Sequence, residues 1–337
     1  MDAISFAAPA YTCPEHGAPL SLDDRRAACP SGHEFPVIRG IPRFVHSGYA
    51  EPFGRQWQRF RLTQLDSHTG LPLSEDRLRR CLGWPRTEGE RHADGQTILE
   101  AGCGAGRFTE VLLRISGAHV TSVDMSEAVD ANIQNCPLSS RHRIAQADIM
   151  RVPFAPYGFD HVVCLGVVQH TPDPEATICA LWRQVKPGGW LVFDHYTWDL
   201  SRLTRVAQAW RQFFKRLPAD RKLPVVEAMV DRLLPLHRRL RRYGRILSRV
   251  SPVLSFYHVH PELPERLQRE WAILDTHDAL TDHYKHHRSR RQIRRLLERL
   301  GGEEIWVEKG GNGIEARIRR PTAAAVERGD RTRAVAA

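Results

Sequence analysis

The chain has 337 residues, 42% of them hydrophobic, enough for a full catalytic core beside one or two small modules. Lys and Arg number 49 against 39 Asp and Glu, but the excess is local: Thr197 to Pro252 holds fourteen basic residues and only four acids, Asp199, Asp220, Glu227 and Asp231. That confinement argues against a protein that is nucleic-acid-binding as a whole, and no run of about 18 uncharged apolar residues exists to span a membrane.

Residues 1–46 open without the basic start of a secretory signal, and the seven cysteines are scattered, so a reduced, cytoplasmic chain is expected. Cys13-x-x-His16 and Cys29-x-x-x-His33 have the spacing of two metal-ligand knuckles. Thiolate and imidazole suit zinc, and four such ligands close a structural site. A module of this size has little core and often needs such a staple. Residues 47–95 carry helical, Arg-rich patterns, including Phe53 to Leu65. Gln56, Trp57 and Gln64 are placed to close over whatever the next segment binds; the alternative for Trp57 is the apolar side of a packing helix, which is the reading for Phe60.

Residues 96–196 alternate short apolar runs with helical stretches, the pattern of a parallel sheet with crossover helices. Strands are expected at Thr97–Ala101, His119–Asp124, Arg143–Gln146, His161–Leu165 and Trp190–His195, with helices starting near Arg107, Ser126 (as N-cap) and Pro174. Lys186-Pro187-Gly188-Gly189 should end the third helix. Residues 197–262 form a basic helical block broken by Pro218, Pro224, Pro235 and Pro252. In residues 263–320 a helix over Ser289–Leu300 precedes strands Glu304–Glu308 and Ile314–Arg319, joined through Lys309 to Gly313 as a hairpin. The tail, 321–337, has no apolar period and is expected to be disordered. The fold class is α/β: a doubly wound, mostly parallel seven-stranded sheet with a terminal antiparallel hairpin, a small N-terminal ribbon and a helical insertion.

The strongest chemical signal is Glu100-Ala101-Gly102-Cys103-Gly104-Ala105-Gly106, between the first strand and its helix. Glycines allow the sharp turn and the approach of a ligand to the backbone at a helix N-terminus. Asp124 ends the next strand, where a carboxylate can accept two ribose hydroxyls. Asp148 follows the third, within reach of an adenine amino group. Either acid alone is equally a cap or a loop residue. The Gly-x-Gly-x-Gly spacing departs from the Gly-x-Gly-x-x-Gly of nicotinamide enzymes.

With Phe159 to Cys164 and Leu181 to Phe193 in the expected order, these motifs resemble those of class I S-adenosylmethionine-dependent methyltransferases. The resemblance covers about residues 96–196, with 288–320 supplying the terminal elements. It implies S-adenosyl-L-methionine held by Glu100, Gly102, Cys103, Gly104, Gly106, Asp124, Met125, Asp148, Ile149, Leu165 and Gly166, with Gln56 and Trp57 above it. The segment Cys29 to Phe44 similarly resembles the short zinc ribbon beside some bacterial methyltransferases, which more often carries Cys where this chain has His16.

His170 lies just past the fourth strand, where ligands of such sheets bind, and is the candidate base; His195 and Tyr196 are secondary candidates. The alternative for His170 is loop ordering or cofactor contact. No Asn/Asp-Pro-Pro-Tyr/Phe motif follows the fourth strand, against amino-methylating DNA and glutamine enzymes. Asp275, Asp278 and the histidines from His283 to His287 are expected at a substrate mouth rather than on a metal. The reading that follows is O- or C-methylation of a small molecule or a glycan or lipid precursor. The basic block would then be a lid over a bulky or anionic acceptor or a contact with anionic membrane. The alternatives are an RNA methyltransferase gripping its substrate with ribbon and block, and a non-catalytic cofactor-binding partner.

Overall fold

The Cys- and His-rich start and the alternating apolar runs fold as two sheets. The computed structural model of the protein describes residues 8–45, 57–87, 91–198 and 206–322; Gln56 and the tail beyond Thr322 lie outside them. First comes an antiparallel ribbon, β1 (Ser21–Leu22), β2 (Arg26–Ala28), β3 (Glu34–Ile38) and β4 (Ile41–Pro42), paired in chain order. It shares the main core. Tyr11, Ala27 and Phe44 sit in the largest buried cluster, Ile41 packs with Cys103, Val129 and Ile144, and Phe44 N donates to Gln146 O at 2.8 Å.

After helix α1 (Leu73–Leu82) the chain enters the second sheet: β5 (Thr97–Ala101), α2 (Arg107–Ile115), β6 (His119–Asp124), α3 (Ala128–Asn135), β7 (His142–Gln146), β8 (Phe159–Cys164), α4 (Pro174–Gln184) and β9 (Val185–Tyr196). Strands β5 to β9 pair in parallel. The insertion holds α5 (Ala207–Arg216), α6 (Ala219–Arg239) and α7 (Gly244–Val250); then come α8 (Glu265–Thr281), α9 (Arg290–Arg299), β10 (Glu303–Gly310) and β11 (Gly313–Arg319). Strand order is β10-β11-β9-β8-β5-β6-β7, and β11 runs antiparallel to both its neighbours. The chain winds outward from β5 to β7 and then restarts at β8. The crevice between the carboxyl ends of β5 and β8 is therefore the topological switch point where such sheets bind ligands.

Three local expectations change. Ser126 is not the geometric N-cap of α3; Glu127 is, because Asp124 captures the Ser126 hydroxyl at 2.7 Å. Ser126 Oγ still accepts from Ala128 N at 3.2 Å. Lys186 to Gly189 do not stand before β9 but inside it, as an irregular stretch between the Phe159–Val185 and His161–Trp190 pairs. Pro224 and Pro235 do not break the basic block, since α6 runs through both. A proline inside a helix costs about 3 kcal/mol, and Val226, Val230 and Leu234 offset it by packing with Phe60, Phe214 and Leu274. Among the described residues no helix is long and apolar enough to cross a membrane.

Candidate active site

Gly102, at the end of β5, takes φ +80°, and a Cβ there would stand 2.3 Å from the Val167 side chain. The loops after β5 and β8 meet at the switch point because residue 102 has no side chain. Gly104, at φ +50°, lies under the Trp57 indole, 3.5 Å from where its Cβ would be. Its N–H donates to Asp124 Oδ2 at 2.9 Å. Oδ1 of the same carboxylate accepts from the Ser126 N–H and hydroxyl at 2.8 and 2.7 Å. Burial raises the Asp124 pKa, and these bonds oppose it. Oδ1 has both lone pairs engaged, whereas Oδ2, with one bond, can still accept.

These groups line a cavity of about 720 Å³, well within the range of cofactor sites. Gly102, Cys103, Gly104, Asp124 and Met125 form one wall, and Asp148 and Ile149 continue it. Leu165 and Gly166 face them, and Trp57 closes over the loop. Asp148 spends Oδ1 on the Met150 N–H at 2.9 Å, so part of its role is the local turn. Glu100 and Gly106, expected at the cofactor, are not on this wall. Glu100 is buried beneath it, with Oε2 accepting from the Thr109 and Ser122 hydroxyls at 2.6 and 2.8 Å. Burial pushes its pKa up to about 7. Gly106, at φ +98°, starts α2 and faces Cys136 and Asn132. Both shape the loop from behind.

His170 ends a short 3-10 turn (Val168–His170) after β8 and lines the same cavity. Its Nδ1 lies 3.2 Å from both the Tyr284 carbonyl and Asp282 Oδ2. Two acceptors there place the proton on Nδ1 and leave Nε2 as the acceptor, 3.2 Å from the Tyr196 hydroxyl. Burial lowers the His170 pKa, so the ring is neutral near pH 7. His195 does not reach the cavity. It is fully buried on the other face of β9, and burial lowers its pKa to about 4. Tyr196, one residue on, points inward.

The remaining wall comes from the insertion and α8. Asp275 and Asp278 face the cavity, and burial with the neighbouring Asp278 pushes Asp275 up to about 7. Gln64 bridges two charges: Nε2 donates to Asp275 Oδ1 at 3.1 Å and Oε1 accepts from Arg107 at 3.0 Å. Two cations near the insertion are already paired. Arg211 and Lys285 line the cavity, but buried Asp282 pairs with both, Lys285 at 3.2 Å. Asp194, buried in β9, accepts from Gly166 N at 2.6 Å and pairs with Arg77 of α1. Glu315 holds Arg80 through two 2.7 Å bonds, so α1 is pinned to the sheet beside the loop.

Sequence reasoning assigned no role to Arg77, Arg107 or Asp282. Arg107 did carry a signal: a cation in a helix's first turn opposes the helix dipole, so its retention needs a partner nearby. Asp282 carried none, because its partners lie on α5, the β8 loop and the segment beyond α8.

Cys13, His16, Cys29 and His33 converge, their ligand atoms all within 4.8 Å of one another. Sulfur–nitrogen separations are 3.6, 3.4 and 3.7 Å, and His16 Nε2 to His33 Nδ1 is 3.1 Å. Tetrahedral zinc has edges of about 3.5 Å between sulfur and nitrogen and about 3.3 Å between nitrogens. The set fits that ion. Among the described residues no second group of three or more such side chains converges.

A family profile described as a methyltransferase domain matches residues 99–193, from inside β5 to β9. The chain carries a class I S-adenosylmethionine-dependent methyltransferase domain. The domain is 39% identical over 103 residues to a ubiquinone biosynthesis O-methyltransferase of Pseudomonas putida, covering 30% of this chain and 44% of that one. A namesake from Alkalilimnicola ehrlichii is 30% identical over 171 residues, 46% of this chain and 66% of that one. The chain thus spans under half the length of the Pseudomonas relatives it matches. The solved structure of a putative S-adenosyl-L-methionine-dependent methyltransferase from Methanococcus maripaludis aligns at TM-score 0.44 and 13% identity, over 82% of this chain and 96% of that one. The methyltransferase domain's loop, Asp124 and the cavity between them fit the cofactor. A backbone cradle that a Cβ would fill meets a carboxylate whose Oδ2 can still accept.

Proposed function

We propose that the protein transfers a methyl group from S-adenosylmethionine to a hydroxyl, or an acidic carbon, of a small molecule or a glycan or lipid precursor. One observation carries the reading: a single cavity joins the glycine loop and Asp124 to His170 and Tyr196. When bound, the cofactor supplies an electrophilic methyl on a sulfonium and keeps the electron pair of the broken bond. Asp124 Oδ2 accepts from a ribose hydroxyl, Asp148 and Ile149 receive the adenine, and Trp57 covers the loop against water. His170 Nε2 takes the proton that the acceptor loses as its carbon–oxygen bond forms, and Asp282 and the Tyr284 carbonyl keep the ring in that tautomer. The relatives' names make an O-linked acceptor the first to try. The ribbon is read as holding one structural zinc. Calorimetry with S-adenosylhomocysteine tests the cofactor half: binding in the micromolar range is expected, and no heat at about millimolar ligand removes the reading. Label transfer from methyl-tritiated cofactor to candidate hydroxyl acceptors tests the other half.

A further inference from the structure

The insertion leaves an apolar surface uncovered. On α5, Trp210 and Phe213 are three residues apart and Val206 precedes Trp210 by four, so all three share a face. All are exposed, Phe213 by 48%. On α7, Ile246 and Val250 are four apart and 59% and 58% exposed. The two rows are neighbours, because Val206 N donates to Arg249 O at 2.9 Å. Exposed hydrophobic side chains are ordinary when scattered; a cluster marks a contact surface.

Along α7 and the segments flanking it the charge has one sign. Between Asp231 and Glu262 the sequence has no acid and seven arginines. Arg241, Arg242, Arg245 and Arg249 are exposed on α7 and the turn before it, and Lys215 and Arg216 are exposed at the end of α5. Arginine beside exposed tryptophan, phenylalanine and isoleucine on short helices is the composition of an interfacial element on anionic lipid. A phosphate-backbone grip would use the arginines but has no use for solvent-facing Ile246 and Val250.

Position ties the patch to the site. Ala207, Gln208, Gly244 and Ser248 line the cavity, and each is next to, or within two residues of, a member of the exposed rows. The apolar rows therefore rim the cavity's outer wall.

We propose that this rim seats on an anionic lipid bilayer and that the methyl acceptor is an amphiphile drawn from it, its polar head reaching His170 and its apolar part staying at the rim. The proposal rests on the methyl-transfer reading for the acceptor, but the docking can fail or stand alone.

The experiment is co-sedimentation of the full chain with vesicles of phosphatidylcholine, and of phosphatidylcholine with about a third phosphatidylglycerol. Partition into the anionic vesicles is expected to exceed that into neutral ones by about a hundredfold or more, and to fall with salt. Each surface arginine contributes about a fivefold factor, so Arg242→Gln, Arg245→Gln and Arg249→Gln together should reduce partition about a hundredfold. Ile246→Asp with Val250→Asp should abolish it. Both variants should bind S-adenosylhomocysteine like wild type, which shows that they fold. Equal partition into both vesicle types, variants that partition like wild type, or binding to an RNA homopolymer without vesicle partition each overturn the proposal. Loss of cofactor binding in wild type with partition intact would sink the methyl-transfer reading and leave the docking.

Discussion

Asp124 and His170 stand in one cavity, and burial drives both toward the neutral form, raising the acid and lowering the base. For Asp124 the Ser126 and Gly104 donors oppose that drift, which keeps a carboxylate available to a ribose. Asp124→Ala should weaken S-adenosylhomocysteine binding by about 2–3 kcal/mol, on the order of a hundredfold; equal affinities by calorimetry would remove Asp124 from the site. For His170 the lowered pKa makes the ring competent as a base near neutrality, and protonation disables it only as pH falls below its ordinary range. Turnover should therefore have an acid limb lying below about pH 6.5. His170→Gln should lower kcat by about 10²–10⁴-fold, erase that limb and leave cofactor affinity unchanged. Normal turnover in the variant from about pH 6 to 9 would show that alignment alone drives the reaction. The neighbours His195 and Tyr196 mark the limit of sequence at this scale. Adjacent residues of a strand face opposite sides, so the sequence says that only one of them can reach the cavity. Which one depends on the helices packed on each face.

At the scale of elements, local signals are legible in the sequence and the docking of one element on another is not. β5 and β6 stand within the bounds expected for them, because an apolar run bounded by glycine or aspartate fixes both ends. Pro224 and Pro235 read as breaks because the proline rule is local, whereas the burial of Val226 and Val230 that overrides it involves Phe60 and α8. The ribbon's ligands were legible from spacing, but its contact with β7 through Arg43 and Phe44 was not. If those four ligands hold zinc, protein purified without added metal should contain about one zinc per chain. Cys29→Ser should lose it and lower the melting temperature. Metal near zero in a ribbon that still resists proteolysis would show that packing on the sheet suffices.

Across the whole molecule, two sets of buried ionisable groups act against each other. His161, His195 and His277, on β8, β9 and α8, are each lowered to about 4 by burial. Each is below its unfolded value of about 6.5, so the unfolded chain binds the extra proton and stability is lost as pH falls through that window. Glu100 and Asp275 go the other way. Their folded pKa of about 7 lies above the unfolded value, so their contribution is present at low pH and is lost as pH rises through about 7. A shift of this size corresponds to about 3 kcal/mol per group, comparable with much of a domain's net stability. The two sets overlap between about pH 4 and 7 and largely cancel, so the wild-type melting curve should vary little there. Single variants expose the halves. His277→Gln should gain stability relative to wild type at pH 5 compared with pH 7.5, because the wild type alone resists a proton. Glu100→Gln should gain relative to wild type at pH 8 compared with pH 5, because the wild type alone buries a charge. The comparison is the difference in unfolding free energy between variant and wild type at the two pH values, read from urea titrations. If the variant-minus-wild-type difference changes in the same direction for both variants as pH rises, the buried histidine and the buried glutamate do not oppose each other in this protein.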